Sequence, residues 1–133
     1  MKCFIDTSAL LAVLNRDDEN HAVAALTWRQ LLTGDWQLVT SSYVLVEAFA
    51  LCQNRLGIQA AKALQNDIVP ILEIIWIDTQ LHTAAANAVI AAGKRKLSLV
   101  DCASFEIMRD KNISKAFAFD SHFAEQGFAL LNS

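Results

Sequence analysis

The stretch KCFIDTSALLAVL, residues 2–14, decides the fold that the sequence predicts. Residues 2–5 form a short apolar run that ends at Asp6, which is typical of a buried strand. Residues 6–8 carry the side-chain oxygens that commonly begin a helix, and the apolar run 9–14 follows them directly. A buried strand that leads straight into a helix predicts an α/β fold.

The same alternation continues along the chain. Short apolar strands without polar alternation, separated by helices, indicate a parallel sheet that is covered on both faces. No linker or repeat divides the sequence, so we expect residues 1–133 to form a single α/β/α sandwich domain. Further strands are predicted at about 37–40, 72–77, 116–119 and 128–131, and helices at about 17–32, 43–56, 58–68, 79–92 and 98–110, with a short helix after Asp120.

Composition excludes several classes of protein. Of 133 residues, 54% are hydrophobic and 19% are charged, which excludes a disordered chain. Asp6 interrupts the N-terminal apolar run, and no run approaches the ~20 apolar residues that a membrane helix needs, so we expect a cytoplasmic protein. The three cysteines stand apart in apolar runs, which predicts reduced core thiols.

Two acidic residues follow predicted strands. Asp6 comes after the first strand, and Asp120 comes after the strand at 116–119. The carboxyl ends of parallel strands are where open α/β sheets bind ligands. Either residue alone is also explained as the N-cap of the helix that follows it.

Two more acids stand alone in apolar helices. Glu47 is the only charge in residues 43–52, which predict a helix that is apolar on every face and therefore buried. Burying an unpaired carboxylate costs several kcal/mol. Asp101 is the only charge in residues 97–103, and its spacing from Ser98 is that of a capping box.

Together these four acids predict a metal site. They lie at strand ends or near helix starts, which can converge on one edge of the sheet, and no lysine or arginine lies within three residues of any of them. Carboxylate oxygens favour Mg²⁺ or Mn²⁺ over zinc. His122, two residues after Asp120, is a further candidate for a ligand or a substrate contact, although packing at the surface is the interpretation that we favour for it.

The net charge of −3 argues against a nucleic-acid partner, but the location of the acids changes that conclusion. Without the four candidate ligands, ten acids remain against eleven basic residues, so the rest of the chain carries +1. Lys94, Arg95 and Lys96 form a basic loop that is a candidate contact for RNA phosphates, with an ordinary solvated surface as the alternative.

Four segments in this order resemble the PIN-domain nucleases, specifically the VapC-like toxins of type II toxin–antitoxin pairs. The segments are FIDTS at 4–8, VE at 46–47, SLVDC at 98–102 and FDSHF at 119–123, which together span nearly the whole chain. The resemblance implies a five-stranded parallel sheet of order 3-2-1-4-5 and a ribonuclease dependent on one or two Mg²⁺ or Mn²⁺ ions.

The resemblance also implies roles for individual residues and for partners. Asp6, Glu47, Asp101 and Asp120 are the expected catalytic, metal-binding acids. Hydroxyls that assist the site are expected at Thr7, Ser8 and Ser121. Such toxins cleave RNA, usually form homodimers, and are held inactive by a cognate antitoxin protein.

Other functions remain open at this point. A receiver domain needs two adjacent acids after its first strand, and a haloacid-dehalogenase phosphatase needs Asp-x-Asp there, whereas Thr7 and Ser8 follow Asp6 in this chain. An RNA-processing nuclease outside a toxin–antitoxin system and a non-catalytic RNA-binding or regulatory module are both compatible with the same residues.

Overall fold

The fold is built on a parallel sheet whose central strand is buried except at its first residue, Lys2. The computed structural model describes residues 1–131, so the last two residues of the predicted domain, 132 and 133, lie outside the described part. Five parallel strands follow the order β3-β2-β1-β4-β5, which confirms the predicted topology. The strands are β1 Lys2–Ile5, β2 Gln37–Ser41, β3 Glu73–Ile75, β4 Lys115–Phe117 and β5 Ala129–Leu130.

Seven α-helices connect the strands in the described part of the chain, and six of the seven follow the predicted ranges within a few residues. The strands predicted at 72–77 and 128–131 are shorter at both ends in the structure, and the strand predicted at 116–119 begins one residue earlier and ends two residues earlier. The helices are α1 Thr7–Leu14, α2 His21–Thr33, α3 Ser42–Leu56, α4 Ile58–Ala63, α5 Thr79–Ala92, α6 Leu99–Asp110 and α7 Ser121–Glu125.

The strand order places helices on both faces of the sheet. From β1 to β3 the chain moves in one direction, and after β3 it crosses back to add β4 on the other side of β1. Because crossovers between parallel strands are right-handed, this reversal moves the later helices to the opposite face. Aromatic contacts agree: Trp28 of α2 stacks on Phe117 of β4, whereas Phe123 of α7 packs against Phe4 of β1.

The predicted fourth helix is regular only over its first half. It is α-helical over Ile58–Ala63, widens into a π-helical turn at Leu64–Ile68, and ends in a 3₁₀ turn at Val69–Ile71. The prediction of one helix to about residue 68 was therefore wrong in detail. Pro70 explains why the regular helix does not continue past this segment, because proline lacks the N–H of a regular helix and its ring clashes with the carbonyl four residues earlier.

Helix α3 is not buried on every face as its composition predicts. Val44, Ala48 and Cys52 are buried, but Val46 is 67% exposed and Phe49 is 37% exposed. One side of α3 therefore packs in the core, and another side exposes apolar residues to solvent.

Two further expectations can be compared with the structure. All three cysteines are buried free thiols, which confirms that prediction. In residues 1–131, no helix has the length and apolar character that crossing a membrane requires.

Candidate metal centre

The candidate site lies where the strand order reverses. β1 and β4 are neighbours, and Phe4 pairs with Ala116 in parallel register. Asp6 follows β1 immediately, and its backbone N–H donates a 3.0 Å hydrogen bond to the carbonyl of Phe117 at the end of β4. A reversal point of this kind leaves a crevice at the carboxyl ends of the strands, and ligands of open α/β sheets bind there.

Asp6 is held rigidly at the start of α1. It is the N-cap of that helix, and Oδ2 accepts hydrogen bonds from the Ser8 N–H at 3.2 Å and the Ser8 Oγ–H at 2.6 Å. Only 4% of the residue is exposed. Burial raises the pKa of Asp6 to about 6; the Ser8 hydrogen bonds oppose this shift, and the charges of Asp101 and Asp120 add to it.

Asp101 is brought to the same edge by α6. It occupies the third position of that helix, where Oδ2 accepts from the Ser98 N–H at 3.2 Å and the Asp101 N–H donates to Ser98 Oγ at 3.0 Å. This is the predicted capping box, and it fixes the carboxylate at a helix start. Burial, followed by the charge of Asp120, raises the pKa of Asp101, while the Ser98 bonds and His122 act in the opposite direction.

Asp120 and His122 complete the cluster from the start of α7. Asp120 is the N-cap of that helix, and Oδ1 accepts from the His122 N–H at 2.9 Å. Nδ1 of the His122 ring lies 3.0 Å from Asp120 Oδ1 and 3.4 Å from Asp101 Oδ2. The favoured interpretation of His122 as a surface-packing residue was therefore wrong, because its ring faces the acids.

These groups have the chemistry of a cation site. One ligand atom from each of Asp101, Asp120 and His122 lies within 4.8 Å of the other two. Nδ1 of His122 is buried and has no hydrogen-bond partner within residues 1–131. Over the same residues, no lysine or arginine forms an ion pair with these acids. Carboxylates whose charges help to raise the pKa of Asp6 and Asp101, next to a buried nitrogen without a partner, fit a divalent cation.

Glu47 is held less firmly than the other three predicted acids, whose carboxylates accept hydrogen bonds. It lies on α3 and is partly exposed, and, like Asp6, it is outside the compact group formed by Asp101, Asp120 and His122. Its carboxylate takes part in no hydrogen bond within the described residues. The argument that Glu47 must be deeply buried was wrong, because neighbouring apolar residues of α3 face outward.

The three hydroxyls expected from the family pattern behave differently. Ser8 bonds to Asp6 and also accepts from the Phe119 N–H at 2.9 Å. Thr7 is 5% exposed, and its Oγ1 has no hydrogen-bond partner in the described chain. Ser121 is exposed at the start of α7.

The basic residues Lys94, Arg95 and Lys96 are exposed in the loop between α5 and α6. This loop leads directly to Ser98 and the first turn of α6, which carries Asp101. A cavity of about 410 Å³ lies elsewhere, between α5 and α6, and none of its lining residues belongs to the acidic set. The acidic set at the strand ends therefore lies outside this cavity.

A PIN domain is the class of protein that this topology and these acids define. Residues 3–129 match the family model of the PIN domain, and the chain belongs to that family. It is 32% identical over 126 residues to the 23S rRNA-specific endonuclease VapC20 of Mycobacterium tuberculosis, covering 94% of each chain. The segments quoted from the sequence therefore identified the family correctly.

Solved structures agree with this assignment. The crystal structure of Mycobacterium tuberculosis VapC20, described as a sarcin–ricin loop cleaving toxin, superposes with a TM-score of 0.86 at 30% identity over 96% of each chain. FitAcB from Neisseria gonorrhoeae superposes with a TM-score of 0.67 at 15% identity over 98% of this chain and 96% of its own, a likeness of fold alone.

Proposed function

We propose that the chain is a divalent-cation-dependent endoribonuclease and the toxin of a toxin–antitoxin pair. The observation that carries this proposal is the group formed by Asp101, Asp120 and His122, whose ligand atoms lie within 4.8 Å of one another beside the buried Asp6. The similarity to VapC20, an endonuclease that acts on 23S rRNA, supports the choice of RNA as substrate.

The acids hold the cation in this proposal. Asp6, Asp101 and Asp120 supply carboxylate oxygens, and Glu47 is proposed to join them from α3. When bound, Mg²⁺ or Mn²⁺ makes water more acidic and stabilises the negative charge that develops at the phosphodiester. Without a cation, the same carboxylates would repel the anionic backbone of RNA.

Neighbouring groups orient the acids and attract the substrate. Ser8 fixes the rotamer of Asp6 through the 2.6 Å hydrogen bond to Oδ2. The capping box fixes Asp101 at the start of α6. The exposed loop of Lys94, Arg95 and Lys96 is proposed to contact phosphates, since a cluster of positive charge near the first turn of α6 favours the approach of RNA.

Two protein partners belong to the proposal. A cognate antitoxin is expected because the VapC20 structure is that of a toxin. A homodimer is proposed through the apolar surface of α3 and α4, where Val46, Phe49 and Ile58 are exposed by 67%, 37% and 64%. Exposed apolar patches of this kind usually mark interfaces. The apolar residues 9–14 of α1 offer little surface to such an interface, because they are buried or partly buried.

Cleavage of a defined RNA tests the activity. Purified protein is incubated with an end-labelled RNA that contains the sarcin–ricin loop of 23S rRNA, with Mg²⁺, with Mn²⁺, and with EDTA. We expect cleavage at one or a few positions in either metal and none in EDTA. Metal-independent cleavage would contradict the proposed chemistry, and binding without cleavage would favour a non-catalytic RNA-binding module.

Growth experiments separate a toxin from an RNA-processing nuclease outside a toxin–antitoxin system. Induced expression of the chain should arrest growth, and co-expression of a small protein encoded next to it should restore growth. Cleavage in vitro without growth arrest would support the RNA-processing role instead.

A further inference from the structure

We infer that His122 is itself a ligand of the cation through Nδ1, and that this nitrogen makes the site prefer Mn²⁺ to Mg²⁺ more strongly than carboxylates alone would. The inference rests on the proposed function, which requires a divalent cation among these acids. It adds a ligand of a different chemical type to the acidic set.

The geometry around His122 supports direct ligation. Nδ1 lies 3.0 Å from Asp120 Oδ1 and 3.4 Å from Asp101 Oδ2, yet neither contact has the geometry of a hydrogen bond. Two adjacent ligands of an octahedral cation with bonds of ~2.1 Å lie about 3 Å apart. The His122 nitrogen is therefore about as far from each of the two carboxylate oxygens as neighbouring ligands of one ion are from each other.

The position of the ring is fixed by its helix. The His122 N–H donates to Asp120 Oδ1 at 2.9 Å, which ties the residue to the first turn of α7. The next residue, Phe123, is fully buried. Its ring centroid lies 5.0 Å from that of Phe105 and 6.4 Å from that of Phe4. Because Phe123 anchors α7 in the core, the imidazole is held over the acids before any ion arrives.

The other two histidines of the chain have different surroundings. Nδ1 of His21 lies 2.7 Å from the carbonyl of Ala12, and His82 contacts the hydroxyl of Tyr43. His122 is thus the histidine whose ring nitrogen faces carboxylates without a hydrogen bond. This contrast also provides a matched control for experiments.

The ligand type has a consequence for metal choice. Mg²⁺ prefers oxygen ligands and gains little from imidazole, whereas first-row transition metals accept imidazole nitrogen readily. A site that adds one imidazole to its carboxylates should therefore discriminate between Mn²⁺ and Mg²⁺, and removing the imidazole should reduce that discrimination.

Pulsed electron paramagnetic resonance of Mn²⁺-loaded protein tests the ligand directly. Wild-type protein is prepared with natural-abundance histidine and with ¹⁵N-histidine, and nitrogen modulation of the Mn²⁺ spin echo is recorded. We expect a coupling that changes from the ¹⁴N to the ¹⁵N pattern on labelling. The coupling should vanish in His122→Ala and persist in His82→Ala. Bound Mn²⁺ without a histidine coupling in the wild-type protein would overturn the inference, and this measurement does not depend on how the variant folds.

Calorimetric titration with Mn²⁺ and with Mg²⁺ tests the consequence. We expect His122→Ala to lose at least about tenfold in Mn²⁺ affinity and to change Mg²⁺ affinity by less than about threefold. Equal losses for both ions, or no loss, would contradict a nitrogen ligand even if RNA cleavage remained metal-dependent. A wild-type protein that binds neither ion would overturn the cation site as well, so the two failures are distinguishable.

Discussion

The hydroxyl of Ser8 donates a 2.6 Å hydrogen bond to Oδ2 of Asp6. The Ser8 hydroxyl oxygen, Oγ, also accepts a 2.9 Å hydrogen bond from the backbone N–H of Phe119. Ser8 therefore links the turn after β1 to the segment after β4, and these two segments carry Asp6 and Asp120. Ser8 thus adds to the backbone hydrogen bond from the Asp6 N–H to the Phe117 carbonyl in setting the relative position of the two carboxylates.

Replacing Ser8 by alanine should damage the site and the fold together. Ser8→Ala leaves the Phe119 N–H without its partner and removes one donor from Asp6, so we expect a loss of about 1–3 kcal/mol in the free energy of unfolding. RNA cleavage should fall because Asp6 is no longer oriented. Urea unfolding and cleavage assays measure the two effects.

Ser121→Ala is the matched control for that change. Ser121 is exposed at the start of α7, and its side chain takes part in no hydrogen bond within residues 1–131. We expect stability and cleavage close to those of the wild type. An equal loss in both variants would show that the link between the two segments is not what Ser8 contributes.

The stability of the metal-free protein should decrease as the pH rises from about 4 to 7. Burial raises the pKa of Asp6 to about 6 and also raises the pKa of Asp101. Between the unfolded and folded pKa values the native state binds more protons than the unfolded chain, so acidification stabilises it. For Asp6, whose pKa is raised from 3.8 to about 6, the effect is on the order of 3 kcal/mol.

Melting curves in EDTA measure this dependence. Asp6→Asn should flatten the profile and raise the melting temperature at pH 7, because asparagine still caps α1 but carries no charge. Added Mn²⁺ should raise the melting temperature of the wild-type protein at pH 7 more than it raises that of Asp6→Asn. Identical pH profiles for the two proteins in EDTA would show that the pKa of Asp6 is not raised in the native site.

The positions of Asp6 and Asp101 could be predicted from the sequence because local rules set them. Asp6 ends an apolar strand and caps a helix, and Asp101 completes a capping box with Ser98. The orientation of His122 could not be predicted in this way. It depends on contacts of Phe123 with Phe105 and Phe4, which are distant in the sequence.

Glu47 shows a different limit of sequence reasoning. Apolar residues surround it in the chain, and that pattern does not distinguish a core face from an exposed apolar face. Val46 and Phe49 lie on the exposed side of α3, so the helix is only partly buried. The irregular end of α4 has a local cause, Pro70, but the width of the preceding turn at Leu64–Ile68 does not follow from proline alone.

The exposed apolar surface of α3 should mediate self-association. We expect the wild-type protein to be a dimer by sedimentation at micromolar concentration. The double variant Val46→Glu/Phe49→Glu should be monomeric, since it places charges in the proposed interface. Ile90→Glu is the control, because Ile90 is 77% exposed on α5. A monomeric wild-type protein, or a dimer that only Ile90→Glu disrupts, would contradict this interface.

The basic loop should govern RNA affinity and not the chemical step. Substituting alanine for Lys94, Arg95 and Lys96 removes three exposed positive charges. We expect KM for RNA to rise and kcat to stay within about threefold. The slope of log KM against the logarithm of the salt concentration should fall by up to about 2. Substituting alanine for Arg55 and Lys62, on α3 and α4, should leave KM nearly unchanged. A large fall in kcat with unchanged KM would assign the loop a different role.

RNA cleavage by Asp101→Asn, measured beside Asp110→Asn, tests the central claim most directly. Both residues lie on α6, but Asp101 faces Asp120 and His122, whereas Asp110 is exposed at the far end of the helix. We predict that Asp101→Asn lowers the rate in saturating Mg²⁺ or Mn²⁺ by at least about a hundredfold while its melting temperature in EDTA is unchanged or raised. Asp110→Asn should cleave at close to the wild-type rate. An Asp101→Asn protein that cleaves RNA as fast as Asp110→Asn would contradict an acidic cation site at the ends of β1 and β4.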